Sequence, residues 1–294
     1  MTDIAYFTIV GLCLGCGYAL VALGISTLYN GSGVLNFAQG DVIMVAALVV
    51  ALHTTSGESY VRGVLEAFVI VMVVSALIGL LFVRPATSRH RDIDLVIIGT
   101  IGISTMIANL ANNVLGSETY SLTSPVTPLT FTLSSFNISY DYFVIVGAFV
   151  VLFATVLHVY RRTDIGLQMR AMSSDVDGAR LSGVPVARLT VVGWLFAGFV
   201  GYVAGLLLGT VLLVSAAMGV PLTISGFAAA MIGGLKNTWG AVLGGVIIGA
   251  AETFAAGYLG AAARQAIAPL IIIGVLLLLP KGILAVRGAR ARVV

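Results

Sequence analysis

The chain has 294 residues, 59% of them hydrophobic and only 9% charged, and its mean hydropathy is +1.09. Soluble domains carry about 25% charged residues, and a water-facing surface cannot absorb this much apolar side chain. A soluble enzyme, a nucleic-acid-binding module and a disordered protein are therefore excluded. The net charge of +3 takes its meaning from where the charges fall.

The apolar runs suit membrane helices, which need about 20 residues each, better than barrel strands. The first, Ile4–Leu28, follows Met1-Thr2-Asp3 with no basic residue before it. It is expected to stay as a span and not to be cleaved as a signal peptide. Cys13 and Cys16 lie inside it as C-x-x-C, with no other thiol in the chain. They read as two small buried hydrophobes, since a metal site would need more ligands. Val64–Val83, Leu95–Leu115, Tyr142–Tyr160, Leu189–Val214, Ala241–Tyr258 and Gln265–Leu279 are six further clear spans. Two segments are irregular. Val34–His53 opens with Asn36, Gln39, Gly40 and Asp41, and Pro221–Leu235 is short, opens with proline and is rich in Gly, Ser and Thr.

Charge placement gives the sidedness. Arg84, Arg89 and Arg91 fall in one loop, Arg161, Arg162, Arg170, Arg180 and Arg188 in a second, and Lys281, Arg287, Arg290 and Arg292 in the C-terminal tail. By the positive-inside rule these regions are cytoplasmic, which leaves the N-terminus outside and the tail inside. Residues 116–141 carry no Lys or Arg and form an extracytoplasmic loop, with β-prone stretches at Thr130–Leu133 and Phe136–Tyr140. Parity then decides the irregular segments. An odd number of crossings is needed before Arg84 and an even number between Arg188 and the tail, so both Val34–His53 and Pro221–Leu235 must cross. Each follows a long span and each places Gly and polar residues where a helix should be apolar, a faint echo of the inverted repeats of transporters.

No P-loop, nucleophile elbow or metal-ligand spacing is present in the sequence, so a catalytic reading has little to stand on. The run from Asn30 to Asp41 holds three glycines and four amide or acidic side chains. It reads either as a helix entry capped by Asp41 or as a broken helix lining a wet path, since irregular backbone at membrane depth must be buried in protein or face water. In Leu95–Leu115, Thr105, Asn109, Asn112 and Asn113 share one face, with Ser104 beside it. Lipid rejects such a face, so it either bonds neighbouring helices or lines a substrate path. Thr223 and Ser225 in the second irregular segment extend that candidate path. Glu252 is the one acid deep in a clear span, and functional and structural readings both stand. In the loop 161–188, Ser173, Ser174 or Asp175 can cap a short helix that Gly183-Val-Pro185 ends. Its apolar face is small, which favours docking to a partner over lying on the membrane surface.

Four runs in order along the chain carry a resemblance: G-V-L-N-F-A-Q-G-D, D-G-A-R-L-S-G-V-P-V-A-R-L, I-G-G-L-K-N-T-W-G-A-V-L-G-G-V-I-I-G and L-L-L-P-K-G-I-L. They resemble the permease subunits of branched-chain amino acid ABC transporters, of the LivH type. The resemblance implies a single transmembrane permease domain over residues 1–294, all-α and polytopic with eight or nine spans, in a bacterial plasma (inner) membrane. It implies a sister permease, identical or different, two ATPase subunits and an extracytoplasmic binding protein. ATP and Mg would be held by the ATPases, and this chain would hold no cofactor or metal. The A-x-x-x-G of Ala179–Gly183 resembles the helix that contacts the ATPase, which implies coupling roles for Asp175, Asp177, Ala179, Arg180, Leu181, Gly183 and Pro185. Two departures stand out: the acidic residue is Asp177, two positions before Ala179, and Gln39 replaces a common His. The implied substrate is leucine, isoleucine or valine, although relatives of this build also carry urea, short amides or other small polar solutes. The rival class, an autonomous secondary transporter or channel, would need several intramembrane acids, whereas the sequence offers Glu252, with Asp41 near an end.

Overall fold

The computed structural model describes residues 2–84, 93–116, 118–123, 130–133, 136–278 and 282. Arg89, Arg91, Lys281, Arg287, Arg290 and Arg292 lie outside these residues. Among the described residues seven helices are long and apolar enough to cross a membrane. They are α1 (Thr2–Ser32), α3 (Tyr60–Leu77, continued as a π-helix over Ile78–Val83), α4 (Ile93–Leu115), α5 (Tyr140–Arg162), α8 (Val186–Gly209), α10 (Thr238–Leu259) and α11 (Ala261–Leu278). Two shorter apolar helices, α2 (Gln39–Thr55) and α9 (Gly219–Gly233), correspond to the irregular segments. At 1.5 Å per residue they reach only about 26 and 22 Å, against a hydrocarbon core of about 30 Å. Two amphipathic helices, α6 (Asp164–Ser174) and α7 (Val176–Leu181), fill the basic loop. The β-prone stretches pair as an antiparallel hairpin, β1 (Thr130–Leu133) with β2 (Phe136–Ser139), in register from Thr130 opposite Ser139 to Leu133 opposite Phe136.

Two expected boundaries are corrected. The first irregular helix starts at Gln39 and not Val34, because residues 33–38 leave the helical path. The fifth long span ends at Gly209 and not Val214. The apolar residues beyond it run through turns, and Val214 pairs as a β-bridge with Tyr120 of the 116–141 loop.

Helix α1 is the axis of the bundle. Apolar around its circumference, it is mostly buried, as such helices are, and packs against α10, α8, α9, α5 and α6. Small residues bring it close to α10. A Cβ at Gly11 would lie 2.9 Å from the Cα of Ala250, and one at Gly15 would lie 2.7 Å from the Cα of Val246. In lipid this backbone contact replaces the hydrophobic drive that joins helices in water. Outward-facing Leu81, Ile98, Leu110, Val151 and Leu277 are largely exposed, as a lipid-facing belt must be.

The neighbour pattern repeats: α1 packs on α9 and α10 as α8 packs on α2 and α3. Four crossings, α2 to α5, lie between α1 and α8, so the two sets run in opposite directions, the arrangement of an inverted repeat. Contacts sort the connections into two ends, as parity requires. At one end Tyr160 donates to the carbonyl of Thr27 at 2.7 Å, Ser26 to that of Leu235 at 2.8 Å and Lys236 to that of Ser173 at 3.4 Å. At the other lie the Tyr120–Val214 bridge and the contacts of His53 Nε2 with Glu58 at 3.4 Å and Glu66 at 3.0 Å.

Candidate functional site: the meeting of two helix N-termini

Residues 33–38 run back into the bundle from the end of α1, so that α2 begins inside the protein. Residues 210–218 do the same for α9 from the other end. The two N-termini meet there. The N–H of Gly40 donates to Thr223 Oγ1 at 2.9 Å, and Thr223 lies 3.2 Å from both the Phe37 and Gly219 carbonyls. A Cβ on Gly40 would enter the Gly219 carbonyl, and one on Gly219 would enter the Asp41 carboxylate. Only glycine at both positions permits this approach, and each helix start projects unpaired N–H groups and a partial positive charge into the same place.

Polar side chains fill the junction. Asn36 donates to Gln39 Oε1 at 3.2 Å and accepts from the Ala38 N–H at 3.0 Å, while Gln39 donates to the Ala197 carbonyl at 3.0 Å. Thr100 of α4 accepts from the Phe37 N–H at 3.3 Å. Asp41 is fully buried, and neither carboxylate oxygen makes a well-formed hydrogen bond among the described residues. The Ser104 side chain faces it. A carboxylate sunk in the bundle with so few polar neighbours is costly, offset in part by the two helix N-termini.

Of the expected path residues, Asn36, Gln39, Ser104 and Thr223 come together here. Ser225 does not: it donates to Glu252 Oε1 at 2.7 Å, in a second cluster. There Tyr18 donates to Glu252 Oε2 at 2.7 Å, and Arg264 reaches the same oxygen at 3.4 Å and the Tyr18 hydroxyl at 3.0 Å. Glu252 is thus hydrogen-bonded on both oxygens and paired with Arg264. Thr105, Asn109 and Asn113 lie on the far side of α4 and are exposed. Thr105 donates to the Gly102 carbonyl at 2.8 Å and Asn109 to that of Thr105 at 2.7 Å, so part of this polar face is satisfied within its own helix.

The expected coupling residues sit at the end that holds Lys236. The loop forms two helices where one was expected. Asp175 caps α7 by accepting from the Asp177 N–H at 3.0 Å. After Ser182, Gly183 takes a left-handed φ of 82°, and exposed Pro185 precedes α8. Ala179 is buried against Met172 and Leu189 of its own chain. Its small size therefore answers to this packing first. Leu181 is 90% exposed, and Arg180 lies 3.8 Å from Asp177 on the open side.

The family described as "Branched-chain amino acid transport system / permease component" matches residues 7–280. The chain belongs to that family. It is 29% identical over 289 residues to the high-affinity branched-chain amino acid transport system permease protein LivH of Salmonella typhimurium, with 93% of each chain covered. It is 31% identical over 291 residues to the permease protein BraD of the corresponding system of Pseudomonas aeruginosa, again with 93% of each chain covered. Among solved structures, a chain of "PsaBC from Streptococcus pneumoniae in complex with Fab" shares the fold, with a TM-score of 0.51, 16% identity and 92% of this chain and 91% of that chain covered.

In this permease, sequence reasoning missed three residues of the buried polar clusters. Asp41 stood in the sequence as a helix cap or as part of a broken helix near a span end and was not placed on the path, because nothing local says how deep the cap lies. Tyr18 and Arg264 meet Glu252 from positions 234 and 12 residues away, a juxtaposition that only the packing of α1, α10 and α11 creates.

Proposed function

We propose that this multi-pass permease is the membrane subunit of an ATP-driven importer of branched-chain amino acids, in which the junction of α2 and α9 is the barrier that opens. The carrying observation is the meeting of two helix N-termini inside the bundle, sealed by glycines and edged by Asn36, Gln39, Thr223, Ser104 and Asp41. Broken helices at depth are how transporters present backbone and amide groups to a solute that is losing its water. The exposed Thr105, Asn109 and Asn113 face supplies a polar wall that lipid would not accept; it suits the side facing a sister permease. The substrate class comes from the names of the relatives.

On this reading the N-terminus is outside and the tail inside a bacterial plasma membrane, which the distribution of basic residues supports. The α6–α7 loop then lies in the cytoplasm and docks on an ATPase subunit through Leu181, Arg180 and Asp177, with Asp175, Ala179, Gly183 and Pro185 shaping the helix. ATP is hydrolysed in the partners, and this chain needs no cofactor. An extracytoplasmic binding protein delivers the solute at the other end. Glu252, bonded to three donors, is unsuited to carrying a coupling ion, which disfavours the secondary-transporter reading.

The test is uptake of labelled leucine by proteoliposomes holding this chain with its sister permease, ATPases and binding protein. Uptake that requires ATP and all partners is expected. Uptake by this chain alone, or uptake of urea or acetamide in place of leucine, would overturn the proposal.

A further inference from the structure

A cavity of about 630 Å³ lies beside the first turn of α9, within the roughly 300–1,000 Å³ typical of small-molecule sites. It is bounded by the 211–218 segment, α9, α11 and the Tyr18–Glu252 cluster. The bridge between Val214 and Tyr120 places it at the end proposed to face outside. Met218 and Pro221 in its wall flank Gly219, so the cavity adjoins the outer side of the α2–α9 barrier.

Its chemistry is that of a zwitterion with an apolar tail. Arg264 lines it, partly exposed, with its Nε on Glu252 and its Nη2 on Tyr18. These bonds fix the guanidinium and leave it further donors, since the group carries five N–H. One helical turn on, Pro269 also lines the cavity. A proline cannot donate to the carbonyl four residues earlier, so the Gln265 carbonyl has lost its helical partner, and Gln265 itself lines the cavity. Leu212, Leu222 and Ile224 supply apolar wall.

We infer that this cavity is an entry site for an apolar α-amino acid, with the carboxylate on Arg264, the ammonium on the Gln265 carbonyl and the side chain against Leu212 and Leu222. The inference rests on the proposed function and adds a site to it. A carboxylate accepts the guanidinium edge in a bidentate, charge-assisted pair. The Glu252–Arg264 pair is close to neutral overall, so a zwitterion enters without adding net charge to the membrane interior.

The probe is tritiated leucine, bound to the assembled transporter in lipid nanodiscs without the binding protein. Leucine should compete best, 4-methylpentanoate less well and leucinamide least. Arg264→Gln should weaken leucine binding at least tenfold and abolish the preference for leucine over leucinamide. Leu213→Trp, at a cavity-lining position that is 70% exposed, should block binding while leaving the fold intact, and decides the matter if Arg264→Gln fails to assemble. Leucinamide competing as well as leucine, unchanged binding in Leu213→Trp, or an anionic phospholipid displacing leucine where 4-methylpentanoate does not would overturn the inference. ATP-driven uptake in the same assembly separates the two readings. Normal uptake with unaltered binding in Arg264→Gln removes only the cavity site, whereas no leucine uptake by the wild type removes the transport reading itself.

Discussion

The backbone N–H of Gly40 donates to the hydroxyl of Thr223 across 2.9 Å, fastening the start of α2 to the start of α9 although 183 positions separate them in the chain. Thr223→Val keeps the shape and removes the acceptor, stranding a buried N–H at a cost of about 1–3 kcal/mol. Leucine uptake should fall about tenfold or more, since 1.4 kcal/mol is a factor of ten. Thr223→Ser restores the hydroxyl and should transport nearly normally. Equal uptake by the valine and serine variants would show that the bond is immaterial.

Neighbouring Asn36 and Gln39 hold each other and the α8 backbone. Gln39→Leu takes the side-chain donor from the Ala197 carbonyl, and Asn36→Leu removes the acceptor of the Ala38 N–H. Each should abolish uptake while membrane insertion and co-purification with the partners remain. Wild-type uptake in both would reduce the irregular segment to a helix entry.

The seven long spans could be read from the sequence because a run of about 20 apolar residues has few other uses. The hairpin could be read from its β-branched and aromatic residues. The short helices α2 and α9 needed the parity of the basic loops, since neither is long enough alone. Side-chain destinations were harder. Ser104 turns into the junction and Thr105 away from it, and Thr223 and Ser225 part company in the same way, because residues one or two apart do not share a helix face. Which face meets which partner depends on neighbours far along the chain. For the same reason Ala179, given a coupling role by the resemblance, makes its contacts with Met172 and Leu189 of its own chain.

That packing divides the cytoplasmic helices into two kinds of position. Ala179→Trp should overpack its own chain at about 1–3 kcal/mol and lower the melting temperature of the permease. Gly183→Leu must hold a left-handed backbone, at about 1–2 kcal/mol. Leu181→Asp touches nothing inside and should leave stability unchanged, yet lose co-purification of the ATPase. Full ATPase recovery with Leu181→Asp would show that this face is not the docking surface.

Sidedness has its own check in two exposed positions, Ser121 and Ser174. In a background with Cys13 and Cys16 replaced, Ser121→Cys should react with an impermeant thiol reagent added to intact cells, and Ser174→Cys should react only after the membrane is opened. Labelling of Ser174→Cys in intact cells would reverse the topology.

The central claim is that the α2–α9 junction opens during transport, and a cross-link across it is the most direct measurement. Phe37 before α2 and Phe227 on α9 stand with ring centroids 5.8 Å apart. A Phe37→Cys/Phe227→Cys pair, in the background lacking Cys13 and Cys16, can be closed by oxidation or by a short bifunctional thiol reagent. Leucine uptake in the reconstituted assembly should stop on oxidation, return on reduction, and be unaffected by oxidation in either single variant. Undiminished uptake with the pair fully cross-linked would contradict the account.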